Sequence, residues 1–304
     1  MKVLVVGLGV QGRKRSSLLG KDCVASVDPQ SVDATYLDIS EAPIDSYDVV
    51  FLCVPDDQKI ELIEYCIQFK KHVLVEKPLI LKDPLELVKL QVKANSVGVF
   101  IYTAYNHRFE PHFKSMKEIL ESGVLGKLYT VQMFYGNGTA QLVKNSPWRD
   151  YGMGVVSDLA PHLLDTLAFW LGINELEDIF VRSHHFETAA PDHAIVHADL
   201  KGVAIRFEMS LCMWRNSFYC DIIGDKGSAH ISSLCKWGPS VLTIRKRVLP
   251  SGKPSEDLIE LEMPDPTWAL EHEYFFTEIL NGAQTDFSTD IWIVETLREL
   301  ETQL

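Results

Sequence analysis

Val3-Leu4-Val5-Val6-Gly7-Leu8-Gly9-Val10-Gln11-Gly12, near the start of the 304-residue chain, decides how the rest is read. Four consecutive aliphatic residues make a strand that is apolar on both faces, as in the middle of a parallel sheet. The run passes directly into a G-x-G-x-x-G loop and then into a helix-compatible stretch to about Leu19. That strand-turn-helix context gives the glycines their meaning. Gly7 permits a tight turn, Gly9 lets the backbone approach a pyrophosphate, and Gly12 allows close helix-strand packing. Val10 and Gln11 lie between them in the same phosphate-facing turn, at the positive end of a helix.

About twenty residues on, a second apolar run ends at Val27-Asp28. A carboxylate there accepts hydrogen bonds from adenosine ribose hydroxyls and repels a 2′-phosphate, which points to NAD and makes NADP the weaker choice. Further strand-like runs at Val49–Val54, Val73–Val75 and Val97–Tyr102 alternate with amphipathic stretches at Gln58–Phe69 and Pro84–Asn95. This rhythm predicts an α/β fold whose N-terminal part, about residues 1–120, is a Rossmann-type, doubly wound parallel sheet. After residue 120 the rhythm becomes alternating segments at Lys127–Tyr135, His193–Leu200, Val203–Met209 and Ser217–Ile223, separated by turn signals such as Lys201-Gly202. Residues 121–304 therefore read as an α+β domain with an open, mostly antiparallel sheet. Helices are expected at Val155–Leu171, Trp268–Leu280 and Asp290–Leu304. The last of these, from about 288, is expected to fold back on the first domain.

The formal charge of −13 argues against a nucleic-acid surface, which requires a basic patch. No apolar run is long enough to span a bilayer, and Met1-Lys2 leads straight into a strand without a signal-peptide pattern, so a cytoplasmic protein without membrane partners is expected. Six cysteines, none in a CxxC pair, sit mostly in apolar segments, which predicts neither a metal site nor disulfides.

Chemistry concentrates at four places. Val75-Glu76-Lys77-Pro78 closes the fourth strand-like run, at the sheet edge where open α/β folds bind ligands. Beside a cationic nicotinamide and partly desolvated, the Lys77 ammonium should have its pKa lowered, which suits it to hold a substrate hydroxyl and share its proton. Asp158, His162 and Asp165 fall at i, i+4 and i+7, on one face if helical, with His162 a natural proton carrier. Pro161 suggests that the helix proper begins near it, leaving Asp158 in the preceding turn. Asn106 and Arg108, in Tyr105–Pro111, and the loop pair Trp148-Arg149 offer donors or a stacking surface to a polyhydroxylated ligand.

In this order the Gly7–Gly12 loop, Cys53-Val54-Pro55-Asp56-Asp57, Glu76-Lys77-Pro78, Asn106-His107-Arg108-Phe109 and the Asp158–His162 segment after Gly152 and Gly154 resemble the Gfo/Idh/MocA family of glucose-fructose oxidoreductase and inositol dehydrogenase. The resemblance implies Lys77 and His162 as a catalytic pair, Asp158 as a substrate ligand, and Cys53, Pro55 and Glu76 on the nicotinamide side. It implies a dehydrogenase of a sugar, cyclitol or nucleotide-linked sugar. Arg108, Lys144, Arg149 and Arg215 would be available to a substrate phosphate or carboxylate. It also implies a homodimer or homotetramer through the exposed face of the C-terminal sheet, which the alternation Val203, Ile205, Phe207 would suit. Gln58 and Ala160 depart from the family's frequent histidine and glycine. Two other readings stay open: a non-catalytic, dinucleotide-responsive regulatory protein on the same fold, against which the retained Lys77 and His162 argue, and an enzyme acting on a non-sugar ring such as a dihydrodiol or bilin, for which a cleft without His162 is more natural.

Overall fold

Five apolar strands, β1 (Val3–Val6), β2 (Cys23–Val27), β3 (Val49–Leu52), β4 (His72–Glu76) and β5 (Ile101–Ala104), pair in parallel in the order β2-β1-β3-β4-β5. They belong to a computed structural model that describes residues 1–81, 83–146, 149–283 and 285–304. Because side chains alternate across a strand, each face of this sheet needs its own cover. Leu4, Val6, Val50, Leu52, Val73 and Val75 pack with Ile63, Cys66 and Ile67 of α2 (Asp56–Gln68) and with Leu87, Leu90 and Ala94 of α3 (Leu85–Val97); α1 (Val10–Leu19) precedes them in the chain. Val3, Val5, Val49, Phe51 and Leu74 pack on the other face with Leu19, Phe275 and Ile279. The expected strand from Val97 starts later, at Ile101, because Val97 is the last residue of α3 and Gly98 closes that helix in a left-handed conformation, φ +73°.

The chain divides into two compact units, Met1–Asn106 with Trp268–Val294, and His107–Thr267 with Glu295–Leu304. The N-terminal segment of the first unit thus ends at Asn106, and Trp268–Val294 completes that unit. The helix α4 (Pro111–Glu121) belongs to the second because its apolar side is used there: Phe113 lies 5.1 Å from Trp170 and 4.9 Å from Phe218, and Trp170 Nε1 donates to the Phe113 carbonyl at 2.9 Å.

The second unit is built on an eight-stranded sheet of β6 (Leu128–Gly136), β7 (Glu177–His184), β8 (His193–Leu200), β9 (Val203–Ser210), β10 (Ser217–Gly224), β11 (Gly227–Ser232), β12 (Ser240–Lys246) and β13 (Glu256–Leu261). Its order is β13-β12-β11-β10-β6-β9-β8-β7, antiparallel except for the parallel pair β6–β9. After β6 come the short α5 (Ala140–Lys144) and α6 (Val155–Leu171); α6 and α4 pack together and onto the sheet. Ile205 and Phe207 are buried, in register with Val131 and Met133, whereas their strand neighbours Ala204 and Arg206 are not. The apolar alternation expected to serve an exposed face therefore points inward. The opposite parity of the sheet carries Tyr219 stacked on Phe134 at 4.7 Å, exposed Ile223, and the paired Arg206 and Glu208.

Pro161 lies inside α6 and does not mark its start. The start is set by Gly154, φ +50°, where a Cβ would stand 2.1 Å from the Pro191 carbonyl oxygen. Asp158 is consequently helical. The chain closes with α7 (Thr267–Tyr274), a π-helical turn at Phe275–Ile279, and α8 (Ser288–Glu301), whose residues to Val294 belong to the first unit and whose end belongs to the second. Among the described residues no helix is long and apolar enough to cross a membrane.

Candidate active site

In the parallel sheet the chain leaves β1 toward β2 on one side and returns to β3 on the other, so the loops after β1 and β3 diverge at the switch point where such folds bind ligands. Those loops hold Gly7–Gly12 and Cys53–Pro55. Gly7 adopts φ +89°, and a Cβ on it would lie 2.4 Å from the Cys53 carbonyl oxygen; one on Gly12 would lie 1.8 Å from the Gly7 oxygen. These two glycines are demanded by the fold. Gly9 is different, since its backbone is one any residue adopts and a Cβ would meet nothing within 4 Å. What its bare backbone provides is open approach to the first turn of α1. Helix geometry leaves the Val10, Gln11 and Gly12 amides without helical acceptors, and that turn carries no acidic residue. The loop therefore fits a dinucleotide pyrophosphate.

Asp28, at the end of β2, accepts from Leu8 N at 2.7 Å, Gln30 N at 2.8 Å and Ser31 N at 3.1 Å. The amide of Leu8 above all, then those of Gln30 and Ser31, holds its carboxyl below the usual carboxylate range despite partial desolvation. The carboxylate assigned to the ribose thus also ties the glycine loop to the second strand. Arg13 pairs with Asp33 at 2.8 Å and with Ser31 Oγ at 3.1 Å, so the cation near the end of β2 already has a carboxylate partner.

Lys77 follows β4, partly exposed, in a cis linkage to Pro78. The residues beside it are held from two directions. Glu76 accepts from Arg15 Nε at 2.5 Å, and buried Arg15 also reaches Glu271 at 2.8 Å, His272 Nε2 at 2.9 Å and the face of Trp268 at 4.6 Å. Lys59 of α2, buried, donates to Asp56 at 2.6 Å and to the Pro78 carbonyl at 2.7 Å. Glu76, read as lining the nicotinamide side, is engaged as an ion-pair partner. Burial pushes the Cys53 thiol up, so it remains a neutral packing group beside Gly7 and Gly12.

The other expected groups, Asn106 apart, lie in the second unit. Asp158 and His162 sit one helical turn apart on α6, both partly exposed, and Arg149 approaches Asp158 at 3.7 Å. Asp165, on the same face, is buried and takes Arg108 Nε at 3.0 Å on both oxygens, with a second contact from its Nη2. That bidentate pair makes Arg108 a structural partner of α6 first; burial raises the Asp165 pKa and Arg108 opposes the rise. Asn106 is buried at the start of a 3-10 turn, and Trp148 lies outside the described residues.

Three further rings gather there. His107 stacks on His162 with centroids 4.3 Å apart, Tyr135 stands edge-on to His162 at 5.7 Å, and Trp237 lies 5.9 Å from Tyr135. Burial first, and then the charges of Asp158 and Asp265, raise the Tyr135 hydroxyl, which therefore stays a donor. His107 lies within Asn106-His107-Arg108-Phe109 and Tyr135 at the end of the alternating run Lys127–Tyr135. Trp237, in a loop before Gly238-Pro239, carried no local signal at all. Among the described residues no cluster of His, Cys, Asp and Glu is arranged to hold a metal ion, and the six cysteines are free.

A family model described as "Oxidoreductase family, NAD-binding Rossmann fold" matches residues 1–105, and the "GFO/IDH/MocA C-terminal domain" matches residues 113–230. The chain belongs to the Gfo/Idh/MocA oxidoreductase family. Its first unit is accordingly an NAD-binding Rossmann domain. Similar family members include trans-1,2-dihydrobenzene-1,2-diol dehydrogenase of Mus musculus, 26% identical over 69% of this chain and 61% of that one. Myo-inositol 2-dehydrogenase of Thermotoga maritima is 29% identical over 49% of this chain and 43% of its own length. The chain thus matches less than two thirds of the length of either relative. Among solved structures, UDP-N-acetylglucosamine 3-dehydrogenase of Acidithiobacillus ferrooxidans superposes with a TM-score of 0.82 over all of this chain and 97% of that one at 17% identity, which establishes the shared fold.

Proposed function

We propose that the protein is an NAD-dependent dehydrogenase of a carbinol carbon in a sugar, cyclitol or nucleotide-linked sugar. What carries this reading is that the first unit holds a fitted pyrophosphate loop and Lys77 at the end of β4, and the second a partly exposed Asp158–His162 pair on one face of α6. NAD, when bound, supplies the hydride acceptor. His162 takes the proton from the substrate hydroxyl, with its ring restrained by stacking on His107. Lys77 donates a hydrogen bond to the same oxygen and stabilises its growing negative charge. Asp158, with Arg149 3.7 Å away, accepts from a neighbouring hydroxyl. In the reverse direction the same pair protonates a ketone.

The reading includes a cytoplasmic protein, in keeping with six free thiols. It also includes a dimer or tetramer through the face of the eight-stranded sheet opposite α4 and α6, where Tyr219, Ile223 and Phe180 are exposed. Its test is the pair Lys77→Ala and His162→Ala. Each should lower turnover by about two to four orders of magnitude while leaving NAD affinity, measured by calorimetry, nearly unchanged. Turnover near that of the parent enzyme in both variants would overturn the assignment.

A further inference from the structure

The loop that carries Trp237 is built with more polar reinforcement than a surface connection requires. Glu110, buried, accepts from Cys235 N at 3.1 Å and from the Cys235 thiol at 3.4 Å, and Met263 N donates to the Cys235 carbonyl at 3.2 Å. Lys236 pairs with Asp265 at 3.2 Å and stands 5.4 Å over the Trp237 ring, and Trp237 N donates to the Leu234 carbonyl at 2.9 Å. Withdrawing a carboxyl such as Glu110 from water is costly, and the bonds from Cys235 offset part of that cost. What these bonds fix is an indole that stays partly exposed beside Tyr135, which in turn abuts His162.

We infer that Trp237 and Tyr135 form a stacking wall that selects substrates whose hydroxyls are carried on a closed ring. The inference rests on the proposed roles of His162 and Asp158 and narrows the substrate class they serve. A pyranose or cyclitol presents a flat face of C–H groups while its hydroxyls radiate from the edge. Laid against aromatic faces, such a ring exchanges water for apolar contact and turns its hydroxyl rim toward Asp158, one helical turn from His162. An open-chain polyol has no such face and must also freeze its rotatable bonds on binding.

The matched probes are myo-inositol and D-glucitol, which carry the same number of carbons and hydroxyls and differ in ring closure. Binding to the NAD-loaded protein is followed by calorimetry and turnover by NADH formation, in the parent protein, Trp237→Phe and Trp237→Leu. The parent should favour the ring by about tenfold or more, Trp237→Phe should keep most of that preference, and Trp237→Leu should lose it through KM, with NAD affinity and Tm unchanged. No preference in the parent, no binding of either probe, or a preference undiminished in Trp237→Leu overturns the wall. If the ring binds selectively through Trp237 but is never oxidised, the wall stands and the dehydrogenase reading for this class falls. Oxidation of the ring with an unchanged KM in Trp237→Leu has the opposite meaning.

Discussion

Asp28 shows how one side chain can hold two roles. Its carboxylate is fixed by three backbone amides, one of them from the glycine loop, so it anchors that loop besides standing where a ribose acceptor is expected. Asp28→Ala should weaken NAD by at least about tenfold, while NADP, relieved of repulsion at its 2′-phosphate, should lose less; titration of both cofactors checks this. Equal losses would mean that only the anchoring matters. The position of Asp28 was legible from its spacing after the glycines, because chain geometry fixes where the second strand ends. Glu76 was legible as a residue at the right place but not in its role, since that depends on Arg15.

At the scale of elements, Arg15 joins α1 to the end of β4 and to α7, through partners up to 257 positions away. A sequence pattern carries no trace of such a pair, because burial of a charge is decided by which distant segment covers it. Removing only the cation leaves two carboxylates facing each other in the interior. Arg15→Met should therefore cost about 3–5 kcal/mol in denaturant unfolding; a change within experimental error would show that water or rearrangement compensates the carboxylates. His272 gives the same cluster a pH signature. Burial chiefly, and then the Arg15 charge, lowers its pKa to about 3. The unfolded imidazole takes a proton below about 6.5 while the folded one stays neutral, so stability is fullest above that value and falls with pH by up to about 1.4 kcal/mol per unit through the window down to about 3. His272→Gln keeps an acceptor for Arg15 but cannot titrate, and its Tm should decline less steeply between neutral and mildly acidic pH than that of the parent. Parallel declines would remove His272 from this role.

Across the whole molecule, the parallel sheet and the central strands of the second sheet were readable because burial imposes a periodicity on their sequences. The expected β8 and α6 bounds, His193–Leu200 and Val155–Leu171, match the structure. The strands β7, β11, β12 and β13 escaped notice. β7 and β13 are edge strands, and β13, Glu256–Leu261, is exposed along nearly its whole length and rich in acids, so nothing in its pattern records a sheet. Lys77, His162 and Asp158 stood out because their chemistry coincides with places where the pattern changes from strand to turn or into a helix. Trp237 and Glu110 did not, because their partnership is made by tertiary packing alone. The central claim, that this chain oxidises a ring-borne hydroxyl with NAD, is tested most directly by following NADH formation with free sugars, cyclitols and nucleotide-linked sugars. The account predicts NADH with at least one ring substrate and its loss in His162→Ala. Tight NAD binding with no NADH from any of them would contradict it.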